Sequence, residues 1–189
     1  MQNFLPKIYY YINDFNLAEL SKISNNINLI YRNYDKQIDI NTILKLRDFC
    51  RKTGKKLFIS NHIKLALNLR LDGVYIPSFN KKINYNYILN KPKKFNIIGS
   101  AHNLKEIMIK EKQGCDEIFI SSIFQNQKSK YFLGLTKFNI LARKTKLKIV
   151  ALGGINEKNY RKLKSTNCIG FASISWAKKN GLRRLRPLL

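Results

Sequence analysis

Eight short apolar runs separated by segments of helical periodicity constrain this chain more than any other feature. They are KIYYYI (Lys7 to Ile12), INLIYR (Ile27 to Arg32), KLFIS (Lys56 to Ser60), DGVYI (Asp72 to Ile76), FNIIG (Phe95 to Gly99), DEIFIS (Asp116 to Ser121), LKIVAL (Leu147 to Leu152) and CIGFAS (Cys168 to Ser173). Each has the length and the Ile, Val, Leu, Phe and Tyr content of a strand. Between them, Thr42 to Lys52 places Ile43, Leu46 and Phe49 on one helical face, His62 to Arg70 does so with Ile63, Ala66 and Leu67, and Leu104 to Lys112 with Leu104, Ile107 and Met108. Runs as continuously apolar as IVAL and IFI suit strands covered on both faces, the condition of parallel sheets, and fit an antiparallel sandwich poorly. A count of eight selects a closed α/β barrel, a (β/α)8 TIM barrel, over the open doubly wound sheet that shares the same alternation. No linker or charge block divides the 189 residues, so one domain over residues 1–189 is expected.

In such barrels chemistry sits on the loops after the strands, which makes the residues following each run the candidates. After the seventh run, Gly153-Gly154-Ile155-Asn156 lets an anion approach the backbone, and after the eighth, Ile174-Ser175-Trp176 opens a helical turn with free N–H donors. We therefore expect Gly153, Gly154, Ile174 and Ser175 to cradle a phosphate; the bland alternative is a tight turn before a helix capped by Asn156. After the fifth run, Gly99-Ser100-Ala101-His102-Asn103 brings His102 to the barrel mouth, where an imidazole exchanges protons near neutral pH. His62 is expected to pack or face solvent. The segment Ser122 to Gly134 is longer than a barrel turn requires and reads as a substrate lid, with Lys128 and Lys130 as anion contacts or simply solvated. Arg32 ends an apolar run at the rim, where its guanidinium needs a partner. Ser60-Asn61 and Pro77-Ser78-Phe79-Asn80, after the third and fourth runs, contain no carboxylate, so no protein-held metal is expected.

The formal net charge of +25 points at face value to nucleic acid, anionic lipid or phosphorylated ligands. The lysines and arginines are spread along the whole chain among asparagine and isoleucine, as in a global compositional bias, and the segment signals of an RNA or DNA module are missing. The tail Gly181 to Pro187 is locally basic. No apolar stretch has the length of a membrane span and the start has no signal-peptide pattern, which gives the expectation of a cytoplasmic protein with Cys50, Cys115 and Cys168 reduced. Oligomeric state is left open, a homo-oligomer included.

Longer stretches carry a resemblance. LFISNHIKLALNLRLDGVYIPS, IIGSAHNLKEIMIKEKQGCDEIFISSIF, VALGGIN, GFASISWA and the opening YYYINDF resemble, in the same order, successive segments of the thiamine phosphate synthase/TenI family. The resemblance implies a barrel that binds thiazole phosphate through backbone groups of Gly153, Gly154, Ile174 and Ser175, with Ser60, Asn61 and Ser100 near the substrates. Arg32 matches the arginine of the family's diphosphate-binding Q-x-R-x-K, whose glutamine and lysine positions are here Ile30 and Tyr34. The synthase's metal aspartates fall at Asn61 and Asn80, and Asn126, Lys128, Ser129 and Lys130 stand near its T-x-T-K. Synthases condense thiazole phosphate with a pyrimidine diphosphate, using Mg2+ on the departing diphosphate. TenI-type members isomerise a carboxylated thiazole phosphate without metal, the acid/base role matching His102, and Ile76-Pro77-Ser78 is similar to their L-P-S. Here Mg2+ would come only with a diphosphate substrate. A non-catalytic phosphate-binding barrel and a basic nucleic-acid binder remain the alternatives.

Overall fold

All eight runs form strands, and each pairs in parallel with its sequence neighbour until the last closes on the first. The computed structural model describes residues 7–34, 37–83, 89–126 and 131–173. The strands are β1 (Lys7–Ile12), β2 (Ile27–Tyr31), β3 (Leu57–Ser60), β4 (Gly73–Ile76), β5 (Asn96–Ala101), β6 (Glu117–Ser121), β7 (Lys148–Leu152) and β8 (Gly170–Ala172). β1 coincides with its apolar run and the others differ from theirs by one or two residues at an end, because ladder bonds and not composition end a strand.

Side-chain alternation divides the apolar residues into two cores. Tyr9, Tyr11, Ile30, Phe58, Tyr75, Ile98, Phe119, Val150 and Ala172 point inward and fill the barrel. The larger cluster, including Ile8, Leu29, Ile59, Ile97 and Ile120, packs between the strands and the surrounding layer. The aromatic filling is interlocked: Tyr9 meets Phe119 with ring centroids 5.0 Å apart, and Tyr11 meets Tyr75 edge-on at 5.6 Å.

The outer layer contains α1 (Leu17–Leu20), α2 (Ile40–Thr53), α3 (Ile63–Asn68), α4 (Leu104–Lys112) and α5 (Gly134–Ala142). α2 begins where the Asp39 carboxylate accepts from the backbone of Asn41 and Thr42, and ends at Gly54 in the left-handed conformation. Its fully buried residues are Ile43, Leu46 and Cys50, with Phe49 only half-buried. α4 corrects the sequence reading. Leu104 and Met108 are exposed, and the buried positions are Ile107 and Lys110, continued by Gln113 just past the helix. The physical reason is that Lys110 and Gln113 find enough acceptors inside to be buried, so the core face follows polar residues.

Between β7 and β8 the expected helix is replaced by a 3-10 segment, Tyr160–Ser165. Asn156 and Asn159 compete with the helix here. Asn159 accepts from the Asn156 N–H and donates to the Gly154 carbonyl, tying the backbone into turns.

Candidate functional site

The inward positions of the strands continue past their ends into a polar rim on the C-terminal face. Stepping two residues from Ile30, Phe58, Ile98 and Phe119 gives Arg32, Ser60, Ser100 and Ser121, and one more step along β5 gives His102. Five of the sequence-nominated residues therefore share one mouth with the Gly153-Gly154 loop: Arg32, Ser60, Asn61, Ser100 and His102.

On the β2 to β4 side the mouth is aromatic, with one guanidinium among the rings. The Arg32 guanidinium lies 4.5 Å from the centre of the Tyr11 ring and 5.6 Å from that of Tyr34, so its expected rim partner is a pair of π faces. Ser60 donates to the Tyr34 hydroxyl at 3.1 Å, and Tyr34 meets Phe79 edge-on. The Tyr11 phenol is buried with no hydrogen-bond partner among the described residues. Burial and the neighbouring Tyr75 push it well above the usual phenol range, against a smaller opposing pull from Arg32, so it stays protonated. A pocket of 500 Å³ opens beside this wall, between the loops after β1 and β2, and Asn13, Asp14, Arg32 and Tyr34 are among its lining.

Asn61 and Asn80 meet across the β3 and β4 loops. The Asn80 Nδ2 donates to Asn61 Oδ1 at 2.9 Å, and Asn80 Oδ1 accepts from the Lys82 N–H. Asn61 holds a left-handed backbone (φ 67°), which asparagine tolerates, and its N–H donates to the Tyr75 carbonyl. Two carboxylates so placed would need a cation between them; two amides satisfy each other. The donor set does not fit a divalent metal, which wants anionic oxygens. Among the described residues no group of three or more His, Cys, Asp and Glu side chains gathers into a metal site.

On the opposite side, His102 is set by a reciprocal cap at the start of α4. Asn103 accepts from the Glu106 N–H, and Glu106 reaches back to accept from the His102 N–H at 2.8 Å. The His102 Nδ1 lies 3.1 Å from both the carbonyl oxygen and the hydroxyl of Ser121. A carbonyl only accepts, so that contact is satisfied with the proton on Nδ1, which leaves the Nε2 lone pair available in the neutral ring. Ser100 is buried on the strand below.

The glycine loop is built against the β6 loop. Gly153 and Gly154 have φ of 96° and 70°, and a Cβ on them would stand 2.0 Å from Ser122 Oγ and 2.4 Å from the Gln125 carbonyl oxygen. Backbone bonds from Ile123 to Leu152 and from Phe124 to Gly153 seal the contact. Both glycines are thus required by close packing as well as by any anion. Neither glycine N–H reaches a backbone acceptor among the described residues, and both residues are partly exposed. At the end of β8, Ser173 donates to the Ile155 carbonyl, drawing the start of the last loop to the glycines.

Ile174, Ser175, Lys128, Lys130, the centre of the expected lid and the basic tail lie outside the described residues. The base of that lid segment is tied, with Leu133 and Gly134 N–H groups donating to the Ser122 and Ile123 carbonyls. His62 sits exposed at the start of α3 and makes no side-chain capping bond. Cys50 and Cys115 are buried and Cys168 half-buried, all as free thiols. No helix among the described residues is long and apolar enough to cross a membrane. Sequence reasoning missed Tyr11 and Lys110, and met Tyr34 only as the motif's lysine position; Tyr11 reaches Arg32 through the pairing of β1 with β2 and not through any local pattern, and Lys110 is masked by a helix full of lysines.

These features define a closed (β/α)8 barrel with a polar mouth on its C-terminal face, where Asn61 and Asn80 pair with each other. The family model described as thiamine monophosphate synthase matches residues 25–177, and the chain belongs to that family. The thiamine-phosphate synthase of Clostridium novyi (strain NT) is 29% identical over 144 residues, which is 74% of this chain and 70% of that protein. The thiamine-phosphate synthase of Clostridium acetobutylicum is 31% identical over 137 residues, 70% of this chain and 63% of that protein. Among solved structures, a thiamine phosphate pyrophosphorylase from Pyrococcus furiosus superposes with a TM-score of 0.73 at 20% identity, covering 95% of this chain and 94% of that one, a likeness of fold.

Proposed function

We propose that this chain acts in thiamine biosynthesis by binding a thiazole phosphate at the barrel mouth and isomerising it by metal-independent proton transfer through His102. The observation that carries this reading is the Asn61 to Asn80 hydrogen bond: the two positions that resemble the synthase's metal aspartates are neutral and occupied with each other. A synthase without them lacks the countercharge that lets a diphosphate leave, whereas a proton shift needs only a base that returns what it takes.

In this scheme the Gly153 and Gly154 N–H groups, with Ile174 and Ser175, hold the phosphate, and Ser100 and Ser60 line the ring. His102, oriented by Ser121, removes a proton from one carbon through Nε2, and the imidazolium so formed delivers a proton to the second carbon. The Ser121 carbonyl accepts from Nδ1–H throughout, which stabilises the cationic ring between the two transfers.

The relatives' names favour a second reading, condensation of thiazole phosphate with pyrimidine diphosphate. The observation on its side is the Arg32 guanidinium standing at the mouth, where Lys128 and Lys130 would join it on the diphosphate and any Mg2+ would arrive with the substrate. A product assay separates the two. Carboxylated thiazole phosphate is given alone, and thiazole phosphate with pyrimidine diphosphate, each with and without Mg2+. Isomerisation in the first mixture, unaffected by chelator and lost in His102→Ala, is expected; thiamine phosphate in the second mixture establishes the condensation instead, and silence in both leaves a binding protein.

A further inference from the structure

Lys110 is fully buried, yet no carboxylate pairs with its ammonium among the described residues. Burying an ammonium is costly unless every proton is used, and here each is. Nζ donates to the Pro77 and Asn80 carbonyls, both at 2.7 Å, and to Gln113 Oε1 at 2.9 Å. Gln113, itself buried, turns its amide to the Asn80 carbonyl at 3.0 Å and the Lys82 carbonyl at 2.8 Å. Four bonds from one helix end thus converge on the backbone of residues 77–82, and a fifth joins Lys110 to Gln113. The aliphatic stem is equally fixed, because a Cβ on Gly99 of β5 would come within 2.8 Å of Lys110 Cδ.

The loop so gripped is the one that carries Asn80 to Asn61. Asn80 is held from below through its carbonyl by Lys110 and Gln113, and from across the mouth through its amide by Asn61. We propose that Lys110 is a positioning residue of the ligand site: with Gln113 it sets the β4 loop so that Asn80 bridges to Asn61, closing one side of the mouth without a metal. This rests on the reading of the mouth as a thiazole phosphate site. The molecule supplies its own control. Lys55 is buried in the same manner, donating to the Ile23 and Ser24 carbonyls and to Asn25 Oδ1, but at the connection entering β2, on the face opposite the mouth.

The test is a thiazole phosphate titration of the full chain and of Asn80→Ala, Lys110→Met, Lys110→Gln, the Asn80→Ala/Lys110→Met double variant and Lys55→Met, together with amide hydrogen exchange. We expect Asn80→Ala and Lys110→Met each to weaken binding about tenfold and the double variant to be no weaker than either, since both break one bridge. Lys110→Gln, which keeps a donor for one loop carbonyl, recovers part of the loss, and Lys55→Met lowers the melting temperature with affinity unchanged. Additive losses, or affinity in Lys110→Met equal to wild type, overturn the proposal. Should the unaltered chain bind no thiazole phosphate, the ligand reading fails by itself, and exchange still decides about the loop. The Asn80 and Lys82 amides, bonded to Pro77 O and Asn80 Oδ1, then exchange at least tenfold faster in Lys110→Met relative to those of β6, or the positioning role is wrong.

Discussion

Asn61 and Asn80 show how a single atom type decides what a site can hold. Each differs from aspartate by an amide nitrogen in place of an oxygen, and that change turns a pair that needs a cation into a pair that bonds to itself. Replacing both by aspartate should therefore reverse the preference. We expect Asn61→Asp/Asn80→Asp to melt lower than wild type in chelator and to gain several degrees with millimolar Mg2+ or Mn2+, while wild type responds to neither. Equal responses of the two proteins to metal would refute the assignment. The thiols give a residue-scale prediction with a definite sign. Burial pushes Cys50 and Cys115 from 9.0 up to about 12. Between those values the unfolded chain has lost protons that the folded chain keeps, so their contribution is whole below pH 9 and lost as pH rises towards 12. Unfolding free energy should accordingly fall less steeply above pH 9 in Cys115→Ala than in wild type, measured by denaturant titration at successive pH values.

At the level of elements, the β6 and β7 loops act as one unit, joined backbone to backbone through Gly153 and Gly154. Gly154→Ala forces a methyl towards the Phe124 and Gln125 carbonyls at positive φ, and we expect a cost of about 2–4 kcal/mol. Gly54→Ala has the same backbone strain (φ 69°) with nothing within 4 Å, and should cost about 1 kcal/mol. Chemical denaturation of the two variants compares them directly; equal losses would mean that the loop contact carries no weight. The strands are legible in the sequence because a doubly covered strand is apolar at every position, as IVAL and IFI are. The outer layer is less so. In α4 the burial follows Ile107, Lys110 and Gln113, and an apolar pattern cannot reveal a lysine that carbonyls have made tolerable inside. The turn chemistry of Asn156 and Asn159 likewise overrode a helix that strand alternation implies. The rim residues Arg32, Ser60, Ser100 and His102 are readable by counting from strand ends, but the pairing of Asn61 with Asn80, 19 residues apart, depends on where two loops meet.

For the whole molecule, a net charge of +25 is the loudest feature and the least informative about fold. Closure of eight strands, the burial of two lysines against carbonyls and the family match are indifferent to it. In the proposed function an anion is held instead by the glycine loop, whose two N–H groups have no backbone acceptor among the described residues and which lies at the same mouth as His102. The most direct test of this account is a crystal structure of the protein with thiazole phosphate. It predicts the phosphate on the Gly153 and Gly154 N–H groups and the thiazole ring directed towards His102 and Ser100. A phosphate bound elsewhere on the basic surface, with the glycine loop unoccupied at saturating ligand, would contradict it.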